Sequence, residues 1–227
     1  MSEAIRSPSL NALSAVFLAT LAAFLSIGYF RSDLYEYSPA LYWAFDTLKF
    51  VVIPAAALVF LARRYGIRPR DYGLRRPGEG ESWTQLAVLT IFLALILMLA
   101  YQVSWYIALI VLRPDWMAPF YKDINATGLL RIPVTIYLAV TAGVAEEILF
   151  RALPLLYLER RLGSRLRAFH FVLGSALLFA AIHWRNGTHE VVATFAYGLL
   201  AAAVYYRLRD LLPLILAHVV IDLIEFA

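Results

Sequence analysis

The amino-acid sequence predicts an all-α fold, a polytopic membrane bundle of about seven transmembrane helices. Apolar residues make up 62% of the 227 residues and charged residues only 16%, whereas about a quarter of a soluble domain is charged. The apolar residues fall into seven runs, and most basic residues lie in the short segments between them. Lipid is therefore the solvent that this composition fits.

The seven runs cover residues 10–30, 41–62, 83–112, 132–158, 166–184, 190–206 and 211–227. A spanning helix needs about 20 residues, at ~1.5 Å each, to cross ~30 Å of hydrocarbon. The first four runs reach this length. The last two are short and are predicted to pack inside the bundle. The first run lacks a cleavage pattern and is interpreted as a retained helix.

Basic residues collect in alternate segments between the runs. Thirteen of the 20 lie on one predicted side and five on the other. The richer side holds Arg6, Arg63, Arg64, Arg68, Arg70, Arg75, Arg76, Arg160, Arg161, Arg165, Arg167, Arg207 and Arg209. Because short loops rich in Lys and Arg stay in the cytoplasm, the amino terminus is predicted to be cytoplasmic and the carboxyl terminus to lie outside.

Several classes of protein are disfavoured. The chain has no cysteine, which excludes disulfides, thiolate zinc sites and a thiol nucleophile. It has no phosphate-binding loop of the G-x-x-x-x-G-K-[ST] type, which argues against a membrane NTPase. The net charge of +4 comes from separate clusters rather than one basic face, so no nucleic-acid partner is expected.

Ionisable residues inside apolar spans are costly and usually face a bundle interior or a wet cavity. Ten remain within the predicted spans: Asp46, Lys49, Glu146, Glu147, Arg151, His170, His183, His218, Asp222 and Glu225. The depth of a residue follows from its distance along the helix, at ~1.5 Å per residue, from the nearest arginine cluster. Glu146 lies roughly 21 Å, His183 roughly 24 Å and His218 roughly 14 Å from that cluster. These groups are therefore expected to meet near mid-membrane.

The spacing of these residues groups them further, because positions four apart share one helix face. The pairs are Glu147 with Arg151, Phe179 with His183, and His218 with Asp222. A carboxylate facing a histidine in a low-dielectric pocket can activate water. With two adjacent carboxylates, one pairs with the arginine and the other stays free as base. A second histidine can stabilise an oxyanion.

No cofactor is required by this chemistry. A zinc ion held by Glu146, His183 and His218 is the alternative, because these are ligand types of catalytic zinc, although the H-E-x-x-H motif is absent. Simpler interpretations also exist. Lys49 lies three residues after Asp46 and is expected to form a local pair, and His183 could be an interfacial residue beside Trp184.

Three motifs occur in order along the chain: E-E-x-x-x-R in Glu146–Arg151, F-x-x-x-H in Phe179–His183 and H-x-x-x-(Asn or Asp) in His218–Asp222. In this order and spacing the sequence resembles the CPBP family of CAAX proteases and bacteriocin-processing or Abi proteins, including its Rce1-like members. The resemblance covers about residues 132–227. It implies a glutamate-dependent intramembrane endopeptidase.

The resemblance also implies roles for these residues. Glu146 would be the general base and would activate water together with His183, while Glu147 and Arg151 would pair. Beyond those four, His218 and Asp222 would line the oxyanion side, and Phe179 would contact substrate. Many family members have asparagine at the last position, so the role of Asp222 is the least defined.

The chain is expected to be one integral-membrane domain, residues 1–227, with variable spans in 1–131 and the catalytic core in 132–227. The expected partners are the bilayer and a membrane-associated protein or peptide carrying a CAAX-like tail, a leader peptide or a C-terminal sorting signal. A prokaryotic inner or plasma membrane is the expected location. The competing functions are a non-catalytic immunity or assembly protein and a proton-coupled transporter.

Overall fold

The computed structural model describes residues 10–75, 82–113, 130–159, 162 and 164–226. Within these ranges the chain forms seven main helices and no strand. They are α1 (Leu10–Tyr37), α2 (Pro39–Tyr65), α3 (Trp83–Leu112), α4 (Arg131–Leu158), α5 (Ser164–Ala181), α6 (Thr188–Leu208) and α7 (Leu212–Phe226). The predicted all-α class is confirmed, with one helix for each apolar run.

Of the helices in the described ranges, α1, α2, α3, α4 and α6 are long and apolar enough to cross a membrane. The seventh is short, as predicted, with 15 residues. The prediction that the sixth is short was wrong, because α6 has 21 residues. Its first turn and its last residues are polar or charged, so they extend the helix beyond the apolar run that marked it.

Large apolar side chains on the outside of the bundle indicate contact with lipid. On α3, Ile110 and Val111 are 72% and 70% exposed, and Val88 and Leu95 are each 63% exposed. A soluble protein rarely leaves so continuous an apolar surface in water. With the long apolar helices, this surface identifies the chain as an integral membrane protein.

Both α2 and α4 contain one wide π-helical turn. The turns are Leu48–Val52 and Ile148–Ala152, and each ends two residues before a proline, Pro54 or Pro154. Proline donates no hydrogen bond, and its ring clashes with the carbonyl four residues earlier, so a wider turn relieves the conflict. Such turns are frequent at functional sites.

The carbonyl left without its helical donor by Pro154 belongs to Phe150. The hydroxyl of Ser175, a buried residue of α5, donates a hydrogen bond to this oxygen at 2.5 Å. Because an unsatisfied buried carbonyl is costly in lipid, this bond stabilises the wide turn and fixes α5 against it.

The arginine-rich segments share one end of the bundle. Arg209, after α6, forms an ion pair with Glu159 at the end of α4. The hydroxyl of Tyr205 donates a hydrogen bond to the carbonyl of Tyr72, in the segment after α2, at 2.7 Å. The carboxyl ends of α2, α4 and α6 therefore meet. The sequence predicted this, because the arginine-rich segments after these three helices were assigned to the same side of the membrane.

The turn after α5 contacts α1, where Arg185 Nη1 donates a hydrogen bond to the carbonyl of Tyr29 at 2.9 Å. Which end faces the cytoplasm stays a prediction. Five of the basic residues on which this prediction depends lie outside the described residues, namely Arg6, Arg76, Lys122, Arg160 and Arg161.

Candidate active site

The acidic pair lies in the last regular turn of α4, directly before the wide turn. Glu147 is fully buried and Glu146 is 6% exposed. Arg151 lies within the wide turn and is also fully buried. Burial of three charged groups in adjacent turns is too costly to persist unless they are paired or functional.

Glu147 connects two helices through two partners. Its Oε2 lies 3.4 Å from Arg151 Nε on the same helix. Its Oε1 accepts a hydrogen bond from His218 Nδ1 of α7 at 2.9 Å. The sequence predicted the first of these contacts but not the second. Glu147 therefore fixes both the ring orientation and the tautomer of His218, whose Nδ1 must carry a proton to donate.

Close approach of α4 and α7 permits this hydrogen bond. Gly143 lies one turn before Glu147 and faces Val219, the neighbour of His218. A Cβ added to Gly143 would lie 2.8 Å from Val219 Cγ2 and 3.2 Å from its backbone nitrogen. Small residues are the usual means by which membrane helices pack this closely.

Three carboxyl groups lie around the imidazole of His218. Besides Glu147 at Nδ1, its Nε2 lies 3.9 Å from Glu146 Oε2 and 3.6 Å from Asp222 Oδ1. His218 and Asp222 are four residues apart on α7, as the spacing predicted. The contact with Glu146 joins the last motif to the first, so five of the predicted site residues form one cluster.

His183 lies in the turn after α5, because that helix ends at Ala181 rather than continuing to residue 184. Its Nδ1 donates a hydrogen bond to the carbonyl of Phe179 at 2.8 Å. In a neutral imidazole with a proton on Nδ1, the Nε2 is an acceptor. His183 therefore has a basic nitrogen available for a proton.

Glu146 and His183 line the same cavity, whose volume is about 480 Å³. They do not hydrogen bond to each other, and a cavity of this volume has room for a ligand or water. Other walls come from Phe24, Lys49 and Phe50 of α1 and α2. A volume of this size falls within the ~300–1,000 Å³ range of small-molecule sites and suits a short peptide segment.

Phe179 lies inside the cluster, where it is 3% exposed. The guanidinium of Arg151 lies 4.4 Å from the centre of its ring, a cation–π contact. The rings of His183 and His218 lie 5.0 and 6.0 Å from it. Phe179 thus connects the two histidines and covers the arginine, and its role in substrate binding stays a prediction.

Two residues near the site were not predicted from the sequence to belong to it. Tyr197 of α6 stacks on Phe179 with ring centres 5.4 Å apart and lies 5.4 Å from the ring of His218. Lys49 was interpreted as part of a local pair, yet it lines the cavity. The sequence held one signal for Lys49, because Pro54 follows it by five residues. Pro154 likewise follows the acidic motif, and a wide turn precedes each proline. Tyr197 had no such signal.

The metal alternative was tested against the donor arrangement. In the part of the chain that the structure describes, no three His, Asp or Glu side chains converge as ligands. The Nδ1 atoms of His218 and His183 are hydrogen bonded, to Glu147 and to a carbonyl, which leaves Nε2 of each ring as the nitrogen that could bind a metal. Zinc binding by Glu146, His183 and His218 stays the alternative, and no chemical step is derived through a metal.

Comparison with known protein families gave a match over the later part of the chain. The family model described as type II CAAX prenyl endopeptidase, Rce1-like, matches residues 128–224. This segment contains all three motifs and excludes α1, α2 and α3. No curated protein matches the chain, and no solved structure matches it.

Proposed function

We propose that the protein is an intramembrane endopeptidase, because residues 128–224 match the family model described as type II CAAX prenyl endopeptidase, Rce1-like. The observation that supports this activity best is the cavity that has Glu146 on one wall and His183 on another. Acid–base groups on both sides of a small cavity can act on the same water molecule.

In the proposed reaction, the carboxylate of Glu146 accepts a proton from water. The water oxygen then attacks the carbonyl carbon of the scissile peptide bond. The Nε2 of His183 orients this water, because its Nδ1 proton is engaged by the carbonyl of Phe179. The proton taken from water passes to the amine as the peptide bond breaks. Both products are thus complete without any further reactant.

The tetrahedral intermediate carries a negative oxygen that must be stabilised. His218 lies beside Glu146 and is held through Nδ1 by Glu147. When Nε2 also carries a proton, it can donate a hydrogen bond to that oxygen. Asp222, 3.6 Å from the same nitrogen, orients the ring. Preorganised donors of this kind are worth about 10²–10³ in kcat.

The substrate we propose is a membrane-associated protein or peptide with an extended segment that enters the cavity. A CAAX-like tail, a leader peptide and a C-terminal sorting signal all provide one. The cavity is too small for a folded domain. The proposed location is the inner or plasma membrane of a prokaryotic cell.

Purified protein should be assayed in detergent with a library of membrane-tethered peptides. Glu146→Gln and His183→Ala are expected to lower kcat at least 100-fold, since each removes a group that acts on water. His218→Ala is expected to lower it by about 10²-fold. Cleavage is measured by mass spectrometry of the products.

His170→Ala is the matched control. His170 is on α5, like Phe179, and its Nδ1 bonds the carbonyl of Leu166 four residues earlier, as His183 bonds Phe179. It is exposed and does not line the cavity. Wild-type cleavage by Glu146→Gln would contradict the proposal. A parallel assay with a strong chelator tests the zinc alternative, and loss of activity there would favour it.

A further inference from the structure

The cavity of the candidate site is closed on one side and open on another. Phe24, Phe50 and Glu146 line its inner part and are buried. Phe30 and Trp184 also line it, but they are 59% and 55% exposed. The cavity is therefore open to the surroundings of the bundle beside these two aromatic residues, which form its rim. A ligand that passes the rim reaches Glu146.

Contacts between α1 and the turn after α5 hold the rim in place. The rings of Tyr29 and Trp184 stack with their centres 6.2 Å apart. Arg185 donates a hydrogen bond to the carbonyl of Tyr29 at 2.9 Å, and its guanidinium lies 5.9 Å from the ring of Tyr29. His183 directly precedes Trp184 in the same turn. Since aromatic side chains bind apolar groups, the rim fits apolar substrate residues close to the bond that is cleaved.

The rim lies at the end of the bundle away from the arginine-rich segments. The ion pair of Arg209 with Glu159 places the carboxyl end of α6 at the arginine-rich end. Because α6 has 21 residues, a rise of ~30 Å, its first residue, Thr188, lies at the other end. The turn that contains Trp184 directly precedes Thr188. Tyr29 contacts this turn, so the α1 side of the rim lies there as well.

Both residues of the rim lie where an apolar segment ends. The apolar span of α1 covers Ala12–Phe30 and so ends at Phe30. The apolar part of α5 covers Leu166–Ala181 and ends three residues before Trp184. Tryptophan and tyrosine concentrate where hydrocarbon meets water. The cavity therefore opens at a membrane surface, where a segment tethered in the bilayer can reach it.

Short arginine-rich loops stay in the cytoplasm, so the rim faces outward in the predicted orientation. We propose that the substrate enters the cavity from the outer face of the membrane, past Phe30 and Trp184, and that it is a membrane-tethered segment of an exported protein. A C-terminal sorting signal presents such a segment on this face, whereas a CAAX-like tail in the cytoplasm lies on the other. This proposal rests on the proposed protease function and narrows its substrates.

The side on which the rim lies can be tested with single cysteines, since the chain has none of its own. Trp184→Cys places a thiol on the rim. Trp83→Cys is the matched control, because Trp83 is also an exposed tryptophan at a helix end. It follows the arginine-rich segment 63–76 and does not line the cavity. An impermeant maleimide should label Trp184→Cys in intact cells and Trp83→Cys only after permeabilisation.

The route into the cavity is tested with the same two variants after purification in detergent. Each variant is assayed with the membrane-tethered peptide library before and after reaction with a bulky maleimide, so that its unlabelled form supplies the baseline. Labelling should remove most of the cleavage by Trp184→Cys, because the label obstructs the rim. Cleavage by Trp83→Cys should not change on labelling. Thermal unfolding shows whether each labelled protein is folded.

The substrate class is tested with a peptide that the protein cleaves in detergent. The peptide is fused to a membrane anchor that displays it on the outer face of cells in one fusion and on the cytoplasmic face in the other. Only the outward fusion should be cleaved. Product sizes on immunoblots measure the cleavage, and cells that express Glu146→Gln supply the background.

Labelling of Trp184→Cys only in permeabilised cells would overturn the assignment to the outer face, and so would cleavage of the inward fusion alone. Full cleavage by labelled Trp184→Cys would overturn the route past the rim. The labelling of cells does not depend on catalysis. The protease function fails separately, if wild-type protein cleaves no peptide of the library. The two proposals can therefore be rejected independently.

Discussion

Among single residues, Arg151 has the least ordinary environment. It is a fully buried arginine whose Nε lies 3.4 Å from Glu147 Oε2 and whose guanidinium lies over the ring of Phe179. Its two terminal nitrogens have no hydrogen-bond partner among the described residues. The arginine is therefore held by the carboxylate of Glu147 and by the ring faces of Phe179 and Tyr197.

Arg151→Met is expected to destabilise the protein by about 3–5 kcal/mol, because it leaves the buried carboxylate of Glu147 without its counter-charge. The double variant Glu147→Gln with Arg151→Met removes both charges and should recover part of this loss. The measurement is the midpoint of thermal unfolding in detergent. A double variant no more stable than Arg151→Met would show that the two residues are not energetically coupled.

At the level of helices, the contact between α4 and α7 carries the site. Gly143 allows Val219 to approach α4, and this approach brings His218 Nδ1 to Glu147 Oε1 at 2.9 Å. The geometry of the hydrogen bond is thus decided by a glycine that takes no part in chemistry. Its effect is to fix the distance between two helices.

Gly143→Ala is expected to lower stability by about 1–3 kcal/mol through overpacking. It should lower kcat more strongly than stability, since displacement of a catalytic group by about 1 Å can cost about 100-fold. Cleavage rate and unfolding midpoint are measured together. Gly174→Ala, which meets open space, serves as control. Unchanged kcat in a folded Gly143→Ala variant would show that the Glu147–His218 bond is not needed.

On the scale of the whole molecule, α1 and α2 complete a site whose motifs lie in α4, α5 and α7. The cavity has Glu146 and His183 on one part of its wall and Phe24, Lys49 and Phe50 on the other. The wall of the candidate site therefore includes residues of α1 and α2, which lie outside the matched segment 128–224.

The orientation of the whole bundle can be tested without background labelling, because the chain has no cysteine. Tyr37, at the end of α1, is 83% exposed, and Arg70, after α2, is exposed. An impermeant maleimide should label Tyr37→Cys in intact cells and Arg70→Cys only in permeabilised ones. The reverse pattern would place the amino terminus outside.

Much of the architecture followed from local sequence. Seven apolar runs gave seven helices, and the basic segments predicted which helix ends lie together. The exceptions were helix ends, since polar residues lengthened α6 and a turn shortened α5 before His183. Local hydropathy does not define where a helix ends if polar residues at that end form hydrogen bonds or ion pairs with other helices, as Arg209 after α6 does with Glu159.

The sequence by itself determined the membrane class, the number and order of the helices, the three motifs and the match of residues 128–224 to a family model. These depend on composition and on spacing within one helix, which are local properties. The tertiary structure alone decided that Glu147 bonds His218, that Tyr197 joins the cluster and that Lys49 and Glu146 line the same cavity. These contacts join helices far apart in the chain. They depend on how closely glycines and wide turns let the helices approach, a property of packing that no single span contains.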